Sequence, residues 1–481
     1  MKYLFLISFL LLCVLSVVAE VTAPQHTFNG KKTILWASDD NPERRQQIAL
    51  FNENNPKYHL KLDAINNGLN KILTQSVAGL GPNAFDGFRN ELALLKDAGM
   101  LYDITGALKA HGITLKDFWP LARPAMSIDG HIYGIPANCG GDAVWYHRRL
   151  FIKAGVPFPP DYNWKWKDFV KTAEKLTVRN RAGQITRFGI MAMTWQDIML
   201  TEGGRIFTPD GRHCIADSPA DIAAVQKYMD LQFKYHVMPT PREESSIISS
   251  GGWASGPINM FEERKAAMAC GGRWWLVTLQ SDVTRKGKFR MDLGVAEKPV
   301  VKYPLFEGGP RVAYVNGLSP HPKRAIAFML YLCSNKYSDE LNRNHDALPG
   351  VEKAAERPAF HYSRFPGRES AGSPVWLALA KNAVSFSLSP YITDARATRI
   401  LRRQVNLVRA HVKSVAAGLR RATALINAGI RRNVRRSVVL KNKYDSPGTA
   451  PELGNRPWLP GQPNAWVMPV VPGDHGRGGG T

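Results

Sequence analysis

The stretch from Asp129 to Pro160 constrains the fold more than any other part of this chain. Asp129-Gly130-His131-Ile132-Tyr133-Gly134-Ile135-Pro136 reads as a short strand ending on a proline. The aromatic strand around Trp145-Tyr146-His147 comes next, and then a helical start closed by Gly155, with Pro159-Pro160 beyond it. Strand, break, strand and helix in such quick succession suit a chain that leaves one body in extended form and enters another. A chain of 481 residues is too long for one ordinary core and long enough for two.

Upstream, the apolar run Thr33 to Ala37 suits a buried strand. It ends at Ser38-Asp39-Asp40-Asn41-Pro42, from which a helix with Ile48, Leu50 and Phe51 should start, and Tyr58 to Leu62 alternates like a second strand. Strand, helix, strand predicts an α/β lobe with a mostly parallel sheet. Ligands in such sheets sit beyond the carboxyl ends of strands, which puts Trp36, Asp39 and, after a third strand-like run, Asp86 near a site. Asp39 or Asp86 would serve equally well as a helix cap. Downstream, Asp161 to Leu176 predicts a helix capped by Asn163, and Phe188 to Met193 a buried strand with Trp195 just past its end. Ser218-Pro219 opens a helix to His236, and the almost wholly apolar run from Ala325 to Ser334 predicts a buried one.

The formal charge of +23 is concentrated. Between Pro390 and Lys443 about fourteen Lys and Arg face the single acid Asp394. From Leu401 the apolar series Val405, Val408, Val412, Val415, Leu419, Ala422 and Ile426 predicts one amphipathic helix with its arginines on the other face. A solvated face explains that pattern; nucleic acid or anionic lipid is the rival reading, and no aromatic interleaving supports nucleic acid. Residues 445–481 are Pro/Gly-rich, predicting a loosely ordered tail.

Lys2, the apolar run Tyr3 to Val18 and the small residues around Ala19 read as a cleavable export signal over residues 1–19, with a second cleavage position after Ala23. The run is shorter than the roughly 20 residues of a spanning helix. Leu10-Leu11-Leu12 before Cys13 lacks the small residues of a lipid-attachment box, so a lipoprotein is not expected. Cys139, Cys214, Cys270 and Cys333 form no CxxC pair, which argues against zinc and leaves disulfides and free thiols both open. No metal or cofactor is expected. The neighbouring acids Asp39-Asp40, Glu243-Glu244 and Glu262-Glu263 form no catalytic signature, and HExxH, GxSxG and P-loop patterns are missing.

Four blocks in order carry a family resemblance. They are Asp129 to Pro160; Thr208-Pro209-Asp210-Gly211 through Ser218-Pro219 to Pro239; Asn259 to Trp274 with its Cys270-Gly271-Gly272-Arg273-Trp274 ending; and Ser319-Pro320 through Asp346-Ala347-Leu348-Pro349. Together they resemble the family-one extracytoplasmic solute-binding proteins of ABC importers, the group that includes maltose-binding proteins. The resemblance implies an α/β, two-lobe periplasmic-binding-protein fold of type II. Lobe one would comprise residues 31–138 plus 311–348, and lobe two residues 142–298 plus 351–443. A hinge would lie at Asn138, Gly140, Gly141 and Pro349, with Asp142 beside it.

It further implies a periplasmic or secreted monomer that captures a carbohydrate between the lobes and delivers it to membrane permease subunits, with no nucleic-acid partner and no catalysis. Trp274 would stack on a sugar ring while Trp275 turns into the lobe. Trp195, Trp36, Trp253, Asp39, Asp86, Asn138, Arg273 and Asn316 are the further candidate ligand contacts, with core packing, loop anchoring or a surface ion pair as the ordinary alternatives. Glycerol-3-phosphate or another phosphorylated solute is the competing ligand class, which Arg273 would suit. A secreted carbohydrate-active enzyme is the competing function.

Overall fold

The strands form where apolar runs are bounded by turn residues, as expected, and they join into a single large sheet. In chain order they are β1 (Thr27–Phe28), β2 (Lys31–Ala37), β3 (Tyr58–Asp63), β4 (Ala84–Gly87), β5 (Ser127–Ile128), β6 (His131–Ile132) and β7 (Gly134–His147). Then come β8 (Val178–Arg179), β9 (Ile185–Met191), β10 (Ala266–Gly272), β11 (Leu293–Ala296) and β12 (Gly308–Val315). All but β5 and β6, which pair only with each other, belong to that sheet. The computed structural model describes residues 27–64, 68–247, 256–279, 293–360 and 372–446. The expected export signal, Trp253 and the tail beyond residue 446 lie outside the described residues.

The sheet runs β1-β2-β4-β12-β7-β10-β9-β8, with β3 on β2 and β11 on β7. β2, β3 and β4 are parallel, as are β9 and β10, and each group is the sheet of one lobe. β7 and β12 pass between the lobes side by side, antiparallel from Gly134↔Tyr314 to Gly141↔Gly308. A third pass touches them where Leu348 bridges Cys139, with backbone hydrogen bonds of 2.8 and 2.9 Å.

The sequence predicts a strand end at Pro136, yet β7 continues through it for fourteen residues. The register shifts by one between Arg311↔Asn138 and Val312↔Pro136. Ala137 is thus the extra residue of a β-bulge, which accommodates a proline inside a sheet.

Alternation along β7 divides the core: Ala143 and Trp145 face one buried cluster, Val144 and Tyr146 the other. The first cluster runs from lobe one, with Phe328, Met329 and Leu332 of the helix Ala325–Leu332 as its composition predicts, across the crossing strands to one face of the lobe-two sheet, where Phe188, Met191, Ala266 and Trp275 join it. The second fills lobe two.

Two helix expectations change. The helix expected from Asp161 begins at Trp166. The preceding residues are tied to a neighbouring segment instead: Glu297 N–H donates to the Asp161 carbonyl (2.9 Å) and Val300 N–H to that of Trp164 (2.7 Å). Asn163 therefore takes a left-handed turn (φ 56°) and caps nothing. The single basic helix is a hairpin of Asp394–Arg409 and Val415–Arg436, continued by the short helix Val438–Asp445. His411 turns the chain at φ 57°, and the Ser414 hydroxyl accepts from Ala417 N–H to restart the helix. Val412 continues the apolar spacing yet stands 66% exposed at the bend. Leu401, Val405, Val408, Leu419, Ala422 and Ile426 are buried in the lobe-two core.

The four described cysteines are free thiols, with Cys139, Cys214 and Cys270 buried and Cys333 partly so. Among the described residues no group of three or more His, Cys, Asp or Glu is arranged to hold a metal ion.

Candidate ligand-binding cleft

A cleft of about 530 Å³ opens over the crossing strands. Asn138–Asp142 of β7 and Gly309–Arg311 of β12 line it. Ala37 at the end of β2, Ser38 and Asp39 just beyond it, Asp86 of β4 and Phe88 come from lobe one, and Gly272, Arg273 and Trp274 at the end of β10 come from lobe two. Glu307, Asp346 to Leu348 and Trp376 complete the lining. The parallel strands of both lobes thus direct their carboxyl ends at the same space, where α/β sheets hold ligands.

The Gly271-Gly272 pair has a steric reason. A methyl group at Gly271 would meet the Trp275 ring at 2.2 Å, and one at Gly272 the Trp274 ring at 2.4 Å. Successive strand residues face opposite sides, so each glycine makes room for one indole. Trp275 turns inward against Phe261, with ring centroids 6.1 Å apart, while half-buried Trp274 lies over the cleft face. The two rings stand at 77°.

Two charge clusters flank this aromatic wall. In lobe one, Arg311 Nη1 bonds Asp39, its Nε lies 3.4 Å from Asp86 and its Nη2 3.7 Å from Asp346. Fully buried Arg44 reaches Asp39 (3.4 Å) and Asp346 (3.7 Å) from beneath. Burial pushes the Asp86 carboxyl up to about 7, although Arg44 and hydrogen bonds from Ser38 Oγ (2.6 Å) and Trp36 Nε1 (2.8 Å) pull the other way.

On the lobe-two side, Asp142 and Glu307 follow the last β7–β12 pair, Gly141↔Gly308, and both line the cleft. Among the described residues neither carboxylate has a hydrogen bond or ion pair. Burial, then the charge of Asp142, pushes Glu307 up to about 7. Lys298 holds Asp197 at 2.5 Å nearby; burial alone would depress its ammonium, and the charges of Asp197 and Asp142 reverse that.

The expected residues divide clearly. Trp274, Asp39, Asp86, Asn138, Arg273, Gly140 and Gly141 line the cleft, and Asn138 Nδ2 donates to Asp346 (3.2 Å). Neither Asp39 nor Asp86 caps a helix; that role falls to Asn41, which accepts from Arg44 N–H at 2.8 Å. Arg273 is not an open guanidinium, nor a surface one. It is buried, donates to the Ala347 and Asn342 carbonyls, and covers the Phe360 ring at 5.1 Å. It braces the wall behind Trp274.

Trp36, Trp195 and Asn316 do not reach the cleft. Trp36 is fully buried against Phe328, with Arg44 stacked on its ring at 4.5 Å. Trp195 opens the helix Trp195–Glu202; the reciprocal Thr194 and Asp197 cap turns the chain there, and the indole packs into the lobe-two core. Asn316 is buried in lobe one, donating to Ser76 Oγ and the Pro82 carbonyl at 2.8 Å each. Pro349 is buried outside the lining, its carbonyl accepting from Trp119 Nε1.

Arg311, Asp346, Glu307, Trp376 and Phe88 join the lining without having been expected there. A signal existed for Arg311, which is the lone charge within the strand sequence Gly308–Val315.

Comparison with known proteins agrees with this geometry. A structure of an ABC substrate-binding protein from Listeria monocytogenes in complex with cycloalternan matches with a TM-score of 0.69 at 20% identity, covering 83% of this chain and 99% of that one. The maltose/maltodextrin-binding domain MalE from Bdellovibrio bacteriovorus, bound to maltotriose, matches with a TM-score of 0.65 at 18% identity, covering 84% and 100%. A Streptomyces antibioticus protein named an uncharacterized lipoprotein in the oleD 5′ region is 23% identical over 347 residues, 69% of this chain and 72% of that protein. The family model for bacterial extracellular solute-binding proteins matches residues 39–338, more than half of the chain. With its two α/β lobes, crossing strands and shared cleft, the chain belongs to the bacterial extracellular solute-binding protein family.

Proposed function

We propose that the protein captures a carbohydrate in the cleft and presents it to the permease of an ABC importer. One observation carries the reading: half-buried Trp274 faces a cleft in which, among the described residues, the Asp142 and Glu307 carboxylates accept no hydrogen bond, with Lys298 the only cation whose charge acts on both. A sugar offers an apolar face to the indole and hydroxyl donors to the carboxylates. The relatives bound to cycloalternan and maltotriose support it. A phosphorylated solute fits less well, because five carboxylates line the cleft against the guanidiniums of Arg311 and Arg273, and both arginines are already engaged.

In this reading the protein is an exported, non-catalytic monomer. Closure bends β7 and β12 near Asn138, Gly140 and Gly141, where Gly140 lies opposite Gly309 and a side chain on either would meet open space. A thermal-shift screen of mono- and oligosaccharides beside glycerol-3-phosphate tests it, since a ligand of the folded state raises the melting temperature. A rise with saccharides is expected. Silence across sugars with a response to the phosphate ester would overturn it, as would turnover of a bound oligosaccharide.

A further inference from the structure

The helical hairpin of lobe two presents a surface that solute capture does not use. Its apolar stripe is buried, and on the opposite face all six arginines between residues 420 and 436 are exposed, as are Arg396, Arg399, Arg402 and Arg403 on the first helix. Among the described residues none of these ten makes an ion pair. Arg409, by contrast, is turned inward onto Glu244 (2.7 Å) and Gln232 (3.1 Å). The only acids from residue 394 to 445 are the two at its ends, Asp394 and Asp445. The second helix, of 22 residues, is a straight positive ridge about 33 Å long at 1.5 Å per residue.

One residue beyond Arg435 and Arg436, after Ser437, come Val438 and Val439, each 75% exposed, and then exposed Lys441 and Lys443. Unpaired cations bracketing exposed aliphatic side chains form an amphipathic element suited to a lipid–water interface. No Phe, Trp or Tyr between residues 394 and 446 is exposed to stack on a base.

We propose that this face docks on the anionic headgroups of a phospholipid bilayer, with Val438 and Val439 entering the headgroup layer. Lobe two then rests on the membrane and the protein searches for its partner along a surface. Adsorption depends on charge, not on the cleft, and proceeds with the cleft empty.

Co-sedimentation of the full chain with phosphatidylcholine vesicles, with and without one-quarter phosphatidylglycerol, tests the proposal. Binding is expected only to the anionic vesicles and should weaken steeply between about 0.05 and 0.5 M salt. Each basic side chain near such a surface contributes about fivefold in affinity. The quadruple variant R431Q/R432Q/R435Q/R436Q should therefore bind at least about 50-fold more weakly, with its circular dichroism unchanged. V438N/V439N should weaken binding while keeping the salt dependence. The proposal is overturned by equal binding to both vesicle types, by undiminished binding of the folded quadruple variant, or by tighter binding to a short DNA duplex than to the anionic vesicles.

Discussion

Replacing Arg311 with leucine removes the cation at the centre of the lobe-one charge cluster. Three carboxylates lose a partner, and no side chain in the group is more than 19% exposed. Removing one member of a buried ion pair costs about 3–5 kcal/mol, because the remaining charge stays desolvated. Arg44 still lies 3.4 and 3.7 Å from Asp39 and Asp346. The lower end, about 3 kcal/mol, is therefore the expected loss near neutral pH. That is a large part of a typical stability of about 5–15 kcal/mol. Urea unfolding followed by tryptophan fluorescence measures it.

The loss must also depend on pH. Without the guanidinium the Asp86 and Asp346 carboxyls, which burial already holds above their ordinary values, are pushed further up. Protons then stand in for the missing cation at low pH and leave as pH climbs through the folded pKa. The defect should shrink by at least about 1 kcal/mol on going from about pH 7.5 to about pH 5, and Asp39→Asn in the Arg311→Leu background should recover about 1 kcal/mol at the higher pH. A defect below about 1 kcal/mol near neutral pH, or one that is the same at both pH values, would refute the reasoning.

Trp274→Ala should weaken saccharide affinity by about tenfold or more, worth about 1.4 kcal/mol, with the melting temperature of the free protein unchanged; undiminished affinity in titration calorimetry would remove the indole from the site. Gly272→Ala should displace Trp274 and weaken binding, whereas Gly271→Ala should drive the Trp275 ring into the core and cost about 1–3 kcal/mol of stability; the reverse pattern in paired melts and titrations would contradict the two-sided strand. Burial raises Asp86, Asp221, Glu297 and Glu307 each to about 7. Their folded-state protons stabilise fully below the unfolded carboxyl range, and that contribution is lost as pH rises through about 7. Glu297→Gln should therefore raise the melting temperature at about pH 8 more than at about pH 5, and an equal change at both would sink this assignment.

Strand and helix positions were legible where the apolar pattern was clean, as in β2, β9 and the helix from Ala325. The side of a strand was not. β2 is buried on both faces, so nothing local distinguishes Trp36, which enters the core, from a residue that faces the cleft. Trp274 was legible through the family resemblance of the block ending at it, and the structure adds the reason: a side chain at Gly272 would collide with its ring. The Arg311, Arg44, Asp39 and Asp346 cluster joins three distant segments, Asp39 with Arg44, Arg311 and Asp346, and local spacing carries no trace of such a meeting. The basic hairpin misled for a different reason: apolar spacing passes through Val412 unbroken, while the bend depends on His411 adopting a left-handed backbone and on Ser414 capping the second helix.

Among the described residues β12 is the last strand, and it lies between β4 and β7 in the middle of the sheet. Until synthesis passes about residue 315, β4 and β7 have no neighbour to join them and the two lobes cannot be linked through their strands. Pairing so far apart in sequence is slow, and the open strand edges would invite aggregation in a chain left to itself. The two lobes therefore complete their shared sheet only once the whole chain from β4 to β12 is present.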